Sequence, residues 1–411
     1  METVGDLVKL QRGNTYNSRL LGSPGPVLLG LASIRPDGGF RDEALRTYGG
    51  GSPEKLLLHP GDLYVSLKDV TQSGDLLGAV ARVPEAVQVG RLTQDTVALR
   101  PKSDSVNLAF IYWALRTPEY RDYCRARAMG TTNLSLSRED FLSYKVGQPT
   151  AKQESLIAVL QGIEDKIEVN RKIGATVEAL ARRLFASQFG VLDPAPVLDE
   201  WTVVSLGDHV DVTRGLSYTG AGLAKDGIPL HNLDSIADVG GYRYDGIKYY
   251  RGDYKPRHVV QTGDLLVANT DLTWAFQRIA QPALVPRRFG ELSLFSHHLY
   301  RVRPKVGSRL TGRFLYLALM SRRLRQVIVG YSNGTTVNML PVDALQRPRL
   351  GVPPFDLVQR FDQVVQPLFA KQEQLQLESE TLAKLRDLLL PKLMSGEIRL
   401  KEAEKAVAEA G

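Results

Sequence analysis

Apolar residues recur along this chain in two rhythms. In one, they fall every seven positions. Leu156, Ile163, Asn170, Val177 and Leu184 form a row, interrupted only by the asparagine, and Leu160, Ile167, Gly174 and Ala181 form a second row four residues on. Phe361, Leu368, Leu375, Leu382 and Leu389 repeat at the same interval near the other end. Two heptad rows four residues apart define the seam of a helix that packs along a partner helix. Each stretch of about 38 residues would reach about 57 Å as a helix, too long for its own neighbouring globule to cover. The two seams are therefore expected to pair with each other as an antiparallel coiled coil. Thr150 and Gln153 have the spacing of a capping box at the first helix start. Asn170 in an apolar row is expected to fix register at some cost in stability. Pro367 predicts a kink, or a helix that begins in earnest beyond it, and Pro391 predicts its end.

The other rhythm is short β-type runs bounded by turn residues: "DLYVSL", "DTVALR", "DLLVAN" and "SHHLYRVRP". One helix is expected in each such region, around "LAFIYWALRTPEYRDYCRAR" and "TGRFLYLALMSRRLRQVIVG". These regions read as mixed α/β globules.

The two regions are copies. "VGDLVKLQRGNTY" at 4–16 matches "LGDHVDVTRGLSY" at 206–218 in six of thirteen positions, and "PGDLYVSLKDVT" at 60–71 matches "TGDLLVANTDLT" at 262–273 in six of twelve. "FIYWAL" and "FLYLAL" follow, then "GTT" at 130–132 and at 334–336, all at nearly one offset. The chain is thus a tandem duplication of a globule followed by a helix. The fold class expected is α/β (α+β): two similar mixed domains, 1–150 and 191–352, separated by two long helices at 151–190 and 353–400, pseudo-twofold symmetric, with a polar tail at 401–411. Two related modules held at a fixed separation suit a reader of two half-sites on duplex DNA.

Composition narrows the partners. The net charge of +7 and a sequence pI near 9.3 favour a polyanion. Arginine clusters such as "RVRPK" at 301–305, "RRLRQ" at 322–326 and "RPRL" at 347–350 suggest phosphate contacts. Cys124 is the single cysteine, which excludes an internal disulfide and suits a reducing, cytoplasmic setting. No apolar run has membrane-spanning length, and the opening "METVGDLVKLQRG" has no apolar signal segment.

The final stretch "LRDLLLPKLMSGEI", the "QRG…Y" and "GD" frames and the alternation of globular and helical regions resemble the specificity (S) subunits of type I restriction–modification systems. The resemblance covers essentially the whole chain and rests most on that C-terminal segment. It implies two target-recognition domains, an antiparallel coiled coil, double-stranded DNA as ligand, and two methyltransferase (modification) subunits with restriction/translocase subunits as partners. It implies no cofactor in this chain, with S-adenosylmethionine, ATP and Mg held by partner subunits, and no membrane. The first helical region lacks the Pro-Lys-Leu-Met-Ser-Gly tail, so the two ends are not equivalent. The expectation for "KLMSGEI" is that it turns back to pack beside the first domain.

Residues in loops beside the duplicated frames are the candidates for touching DNA. In the first domain these are Arg12, Asn14, Tyr16, Lys68, Gln72, Thr131, Thr132 and Asn133, and in the second Arg214, Tyr218, Asn269, Thr270, Trp274, Asn333, Thr335 and Thr336. Arg, Asn and Gln can form paired bonds to base edges, whereas Thr and Tyr mostly serve phosphates. A loop-stabilising role is the alternative for each, and duplication of "GTT" argues for frame rather than readout.

Catalytic signatures are missing: there is no Asx-Pro-Pro-aromatic stretch, no phosphate-binding G-x-x-x-x-G-K-[ST] loop and no HExxH. His297 and His298, if in a strand, would face opposite sides and could not share a metal. The chain reads as a non-catalytic subunit. Its rivals are a fused methyltransferase, which needs more chain than is free, a protein-interaction scaffold built on the coiled coil, and a specificity subunit of a related modification system outside type I.

Overall fold

The structure is a computed structural model. It describes all residues except Met1, Asp37, Glu43, Ala44, Thr71, Gln72, Thr132, Gln148, 191–200, 272–276, 334–337, Gly396 and 398–411, and of Lys152 the backbone alone. The chain divides into two compact units, one of 1–167 with 380–411 and one of 168–379. Each contains one globule and a part of both long helices, Ala151–Phe189 and Phe355–Met394.

The globules repeat one plan. In the first, an antiparallel sheet runs in the order Val8–Arg12, Thr96–Pro101, Leu63–Ser66, Val80–Arg82. In the second the order is Val210–Arg214, Leu299–Pro304, Leu265–Ala268, Pro282–Leu284. Val8 faces Pro101 and Val210 faces Pro304, so even the register is shared. The central strands are buried on both faces. Leu63 and Val65 join the core that holds the helices, while Tyr64 joins a separate cluster on the other side. Leu265 and Val267 are divided from Leu266 and Ala268 in the same way. That explains why "DLYVS" and "DLLVA" are nearly continuous apolar runs.

Each helical region has two short helices where one was expected: Leu108–Ala114 and Pro118–Ala126, then Gly312–Leu319 and Arg322–Val329. Thr117 caps a new helix by accepting from Tyr120 N, and Pro118 at its first position has no N–H to lose. Ser321 stands at the matching start in the second globule.

The capping box at the first long helix is present: Thr150 N donates to Gln153 Oε1 at 2.9 Å and Gln153 N to Thr150 Oγ1 at 3.3 Å. In the first unit Leu156, Leu160 and Ile163 pack with Leu382, Leu389 and Leu393, and Gln153 Nε2 donates to the Met394 carbonyl. In the second unit Asn170 Nδ2 donates to Glu378 Oε2 at 3.0 Å, and Phe185 meets Phe361 at 5.7 Å between ring centroids. Numbers rise on one helix as they fall on the other, so the helices run antiparallel within each unit. Ile167, Val177, Leu184 and Leu368 are half-buried, and Leu375 is buried. Towards the end of the first helix the buried row passes from Leu184 to Phe185 and Phe189, which pack on Phe314 and Phe361.

Pro391 was expected to end the second helix, and Pro367 to kink it or to stand before its true start; the helix neither waits for Pro367 nor stops at Pro391. It is continuous from Phe355 through Pro367 and Pro391 to Met394. A proline frees the carbonyl four residues back, here on Gln363 and Asp387. Both are exposed, so water can replace the missing N–H. The tail after Pro391 does meet the first globule. It continues as helix to Met394 and buries Leu393 in the core of the first unit, while the turn expected in "KLMSGEI" falls partly on Gly396 and Ile398, which lie outside the described residues.

A tyrosine from each duplicated "F-x-Y" helix donates to a glutamate of the first long helix. Tyr112 Oη lies 2.9 Å from Glu164 Oε2, and Tyr316 Oη lies 3.0 Å from Glu178 Oε1. Arg116 donates to Glu164 at 2.6 Å and Arg182 to Glu178 at 2.6 Å. The second long helix adds Arg386, 3.8 Å from Glu164, in the first unit and Gln372, 3.1 Å from Glu178, in the second.

Candidate nucleic-acid interface

The duplicated frames are scaffolding. A Cβ on Gly13 would lie 2.0 Å from the Thr93 carbonyl oxygen, and one on Gly215 would lie 2.3 Å from that of Ser296. Only glycine admits so close an approach. Gly61 and Gly263 have φ of +89° and +83°. The aspartates beside them cap the same turn, Asp62 accepting from His59 N and Asp264 from Gln261 N. Each also pairs with an arginine of the neighbouring strand, Arg100 or Arg303. Buried Asp69 accepts from Leu76 N at 2.7 Å, and buried Asp271 accepts from Arg278 N at 2.8 Å. Asp6 and Asp208 receive the backbone N–H of Thr3 and Ser205.

On this shared frame the two globules present different side chains. The ribbons Lys68–Asp69 and Thr270–Asp271 correspond, as do the residues preceding Thr96 and Leu299. At that place the first globule has Lys68 Nζ 3.2 Å from Asp95 Oδ1. The second has Thr270 Oγ1 2.8 Å from His298 Nδ1. Where the second globule has Arg278 bonded to Asp234 and Asp238 at 3.1 and 2.5 Å, the first has Leu76, Ala32 and Pro36.

In the second unit these residues line a cleft of about 320 Å³, walled by Tyr218, Asp234, Asp238, Lys248, Asp271, Arg278 and His298 among others. Its mixed charge suits the donor and acceptor pattern of base edges better than a row of phosphates. Beneath the cleft, His231 contacts Tyr242 Oη at 2.7 Å and Ser293 Oγ at 2.9 Å. Burial lowers its pKa to about 3, so it is neutral.

The candidate residues fall into distinct groups. Arg12, Thr131, Asn133 and Asn333 are exposed. Tyr16 is exposed and leans edge-on against Tyr48, and Tyr218 lines the cleft against Tyr250 and His297. Lys68 is half exposed beside Asp95. Arg214 is exposed, with Nε on the His297 carbonyl. Asn14 accepts from buried Arg91 at 2.6 Å, which orders its loop. Asn269 and Thr270 cannot reach a base. Both are buried, Asn269 Nδ2 donating to the His297 carbonyl and Thr270 bonding Asn269 and His298. Gln72, Thr132, Trp274, Thr335 and Thr336 lie outside the described residues.

Two other expectations change. The rings of His297 and His298 are 3.9 Å apart, because the pair lies in a turn before the strand, where alternation does not apply. Among the described residues no group of three His, Cys, Asp or Glu could hold a metal, and no helix is long and apolar enough to cross a membrane. Several clustered arginines are engaged inside their own globule. Arg303 pairs with Asp264, Arg347 with Asp343, and Arg325 donates to the carbonyls of Ile279 and Gln277. Sequence reading missed Lys248, Arg278 and His298. For Arg278 and His298 the signal was divergence from Leu76 and Asp95 at matched offsets, whereas Lys248 matches Arg46 and carried no such signal.

No family model matches the chain. It is similar to the curated type I restriction enzyme MjaIX specificity subunit of Methanocaldococcus jannaschii, 24% identical over 332 residues, covering 73% of this chain and 71% of the relative. The MjaVIII specificity subunit of the same organism is 19% identical over 337 residues, covering 76% and 75%. Among solved structures, the type I restriction–modification S subunit from M. genitalium has the same fold, with a TM-score of 0.51 at 15% identity over 95% of both chains. In sequence and in fold, then, the chain resembles the specificity subunits of type I restriction enzymes.

Proposed function

We propose that this chain is the DNA-specificity subunit of a type I restriction–modification complex. Each globule recognises one half of a bipartite duplex target. The paired long helices act as a coiled coil and recruit methyltransferase and restriction subunits, which hold S-adenosylmethionine, ATP and Mg and perform the chemistry. The chain itself is non-catalytic, and its setting is the cytoplasm.

One observation carries this reading. Two globules share strand order, register, turn glycines and capping aspartates, yet differ where the second has a cleft: Arg278, Asp234, Asp238 and His298 stand in place of Leu76, Ala32, Pro36 and Asp95. A kept frame with changed walls is what two readers of different sequences require.

Domain exchange tests it. Residues 1–150 are replaced by the first domain of another specificity subunit, and the methylome of a host carrying the whole system is sequenced. One half of the modified motif should change and the other should remain. Change in both halves, or in neither, would defeat the modular reading.

A further inference from the structure

The cleft of the second globule contains a histidine whose tautomer is dictated by a chain of hydrogen bonds. Asn269 Nδ2 donates to the His297 carbonyl at 3.0 Å, which turns Asn269 Oδ1 towards Thr270. Thr270 Oγ1 donates to that oxygen at 3.2 Å. Asn269 is fully buried and its Oδ1 has no other donor among the described residues, so the single hydroxyl proton is assigned to that oxygen and the 2.8 Å contact between Thr270 Oγ1 and His298 Nδ1 has the imidazole as donor. His298 Nε2 is then left with a lone pair. The ring is half-buried on the wall of the cleft, and no described residue bonds Nε2. Burial, with His297, Arg214 and Lys248 nearby and only Asp234 opposing them, pushes its pKa below the ordinary range, so the ring stays neutral at pH 7.

We propose that His298 is a specificity-determining residue of the second globule, its Nε2 accepting a hydrogen bond from the exocyclic amino group of a base: N6 of adenine or N4 of cytosine. A fixed acceptor pairs with those donors and meets only acceptors on the major-groove edge of guanine and only an acceptor and a methyl group on that of thymine. Asn269 and Thr270 are its positioning residues, which accounts for two frame-adjacent polar side chains being wholly buried. At the matching place the first globule has Asp95, also an acceptor, but held by Lys68. The assignment rests on the DNA-recognition reading above.

The test uses the full chain and a pool of random duplex DNA, with bound sequences selected and read. Wild type should enrich a two-part motif. In the part that follows residues 191–352 on domain exchange, one position should demand a single base pair in one orientation, because a fixed acceptor meets the amino group on one strand only. His298→Ala should relax that position about tenfold and leave every other position unchanged. Thr270→Val should relax the same position less, because Nδ1–H loses its acceptor and the other tautomer becomes accessible. If His298→Ala does not fold, His298→Leu, which also removes the acceptor, and Thr270→Val carry the test. Unchanged preference at every position in the folded variants overturns the assignment, as does relaxation confined to the other half of the motif. If wild type enriches no sequence, the DNA-recognition reading itself falls.

Discussion

Replacing Glu164 with glutamine should destabilise the first unit sharply. Glu164 comes within 4 Å of three guanidinium groups: Arg116 at 2.6 Å, Arg82 at 3.8 Å and Arg386 at 3.8 Å. Its side chain is 21% exposed and that of Arg116 only 7%. Arg116 also stacks over Tyr112 and Trp113 at 4.9 and 4.8 Å, so it cannot swing out to water without losing those rings. Removing one partner of a buried pair costs about 3–5 kcal/mol. Glutamine keeps the shape and one acceptor, so the low end, about 3 kcal/mol, is expected. For a unit of about 200 residues each kcal/mol shifts Tm by about 2–4 °C, so the lowest-melting transition should fall by about 6–12 °C.

The sign with pH follows from the carboxyl. Burial alone would raise its pKa, but the charge and hydrogen bond of Arg116, the Tyr112 hydroxyl and the charge of Arg386 hold it below the ordinary 4.5. The stabilisation is therefore fully present above pH 4.5 and is lost as pH falls through the folded value. Circular-dichroism melts of both proteins from pH 7 to pH 3 check this: the difference should hold down to about pH 4.5 and narrow below it. A drop under 2 °C at pH 7, or a difference that stays constant to pH 3, would refute the view of Glu164 as the counter-ion of this cluster.

Two further outcomes are expected. His231 is neutral in the fold with a pKa near 3 against an ordinary 6.5, so its contribution is complete above pH 6.5 and erodes as pH falls. Wild type should lose about 2 kcal/mol more than His231→Gln between pH 7.5 and pH 5 in denaturant titrations, and equal losses would contradict the assignment. Asn170→Leu should be neutral or stabilising by about 1 kcal/mol, because Asn170 is buried with Oδ1 unbonded and leucine removes that unsatisfied acceptor. A fall in Tm of several degrees would show that the bond to Glu378 outweighs it.

The helices were legible because heptad spacing is local, and Leu156, Leu160, Ile163, Phe361, Leu375, Leu382 and Leu389 are all buried. Pro391 was misread as the end of the helix, and Pro367 does not delay its start, because propensity says nothing of where a freed carbonyl will point, and Gln363 and Asp387 are exposed. Duplicated frames were found easily, but likeness cannot tell a reader from a strut. Asn269 and Thr270 looked like readers and are struts for His298. Lys248, Arg278 and His298 come from three separate segments. Only tertiary structure brings them to one cleft, and no single window of sequence contains it.

The two tyrosine–glutamate pairs give the duplication a direction. Tyr112 leans on a glutamate of the helix that follows its own globule, whereas Tyr316 leans on Glu178, which lies in the helix before it. The first copy of the repeat therefore brings its own acceptor and the second borrows one. A gene cut between the copies would part the phenol of Tyr316 from Glu178, while the first half would keep both partners of the Tyr112 bond. Once such a loan is made, simple fission leaves the second half short of that hydrogen bond, at a cost of about 1–3 kcal/mol.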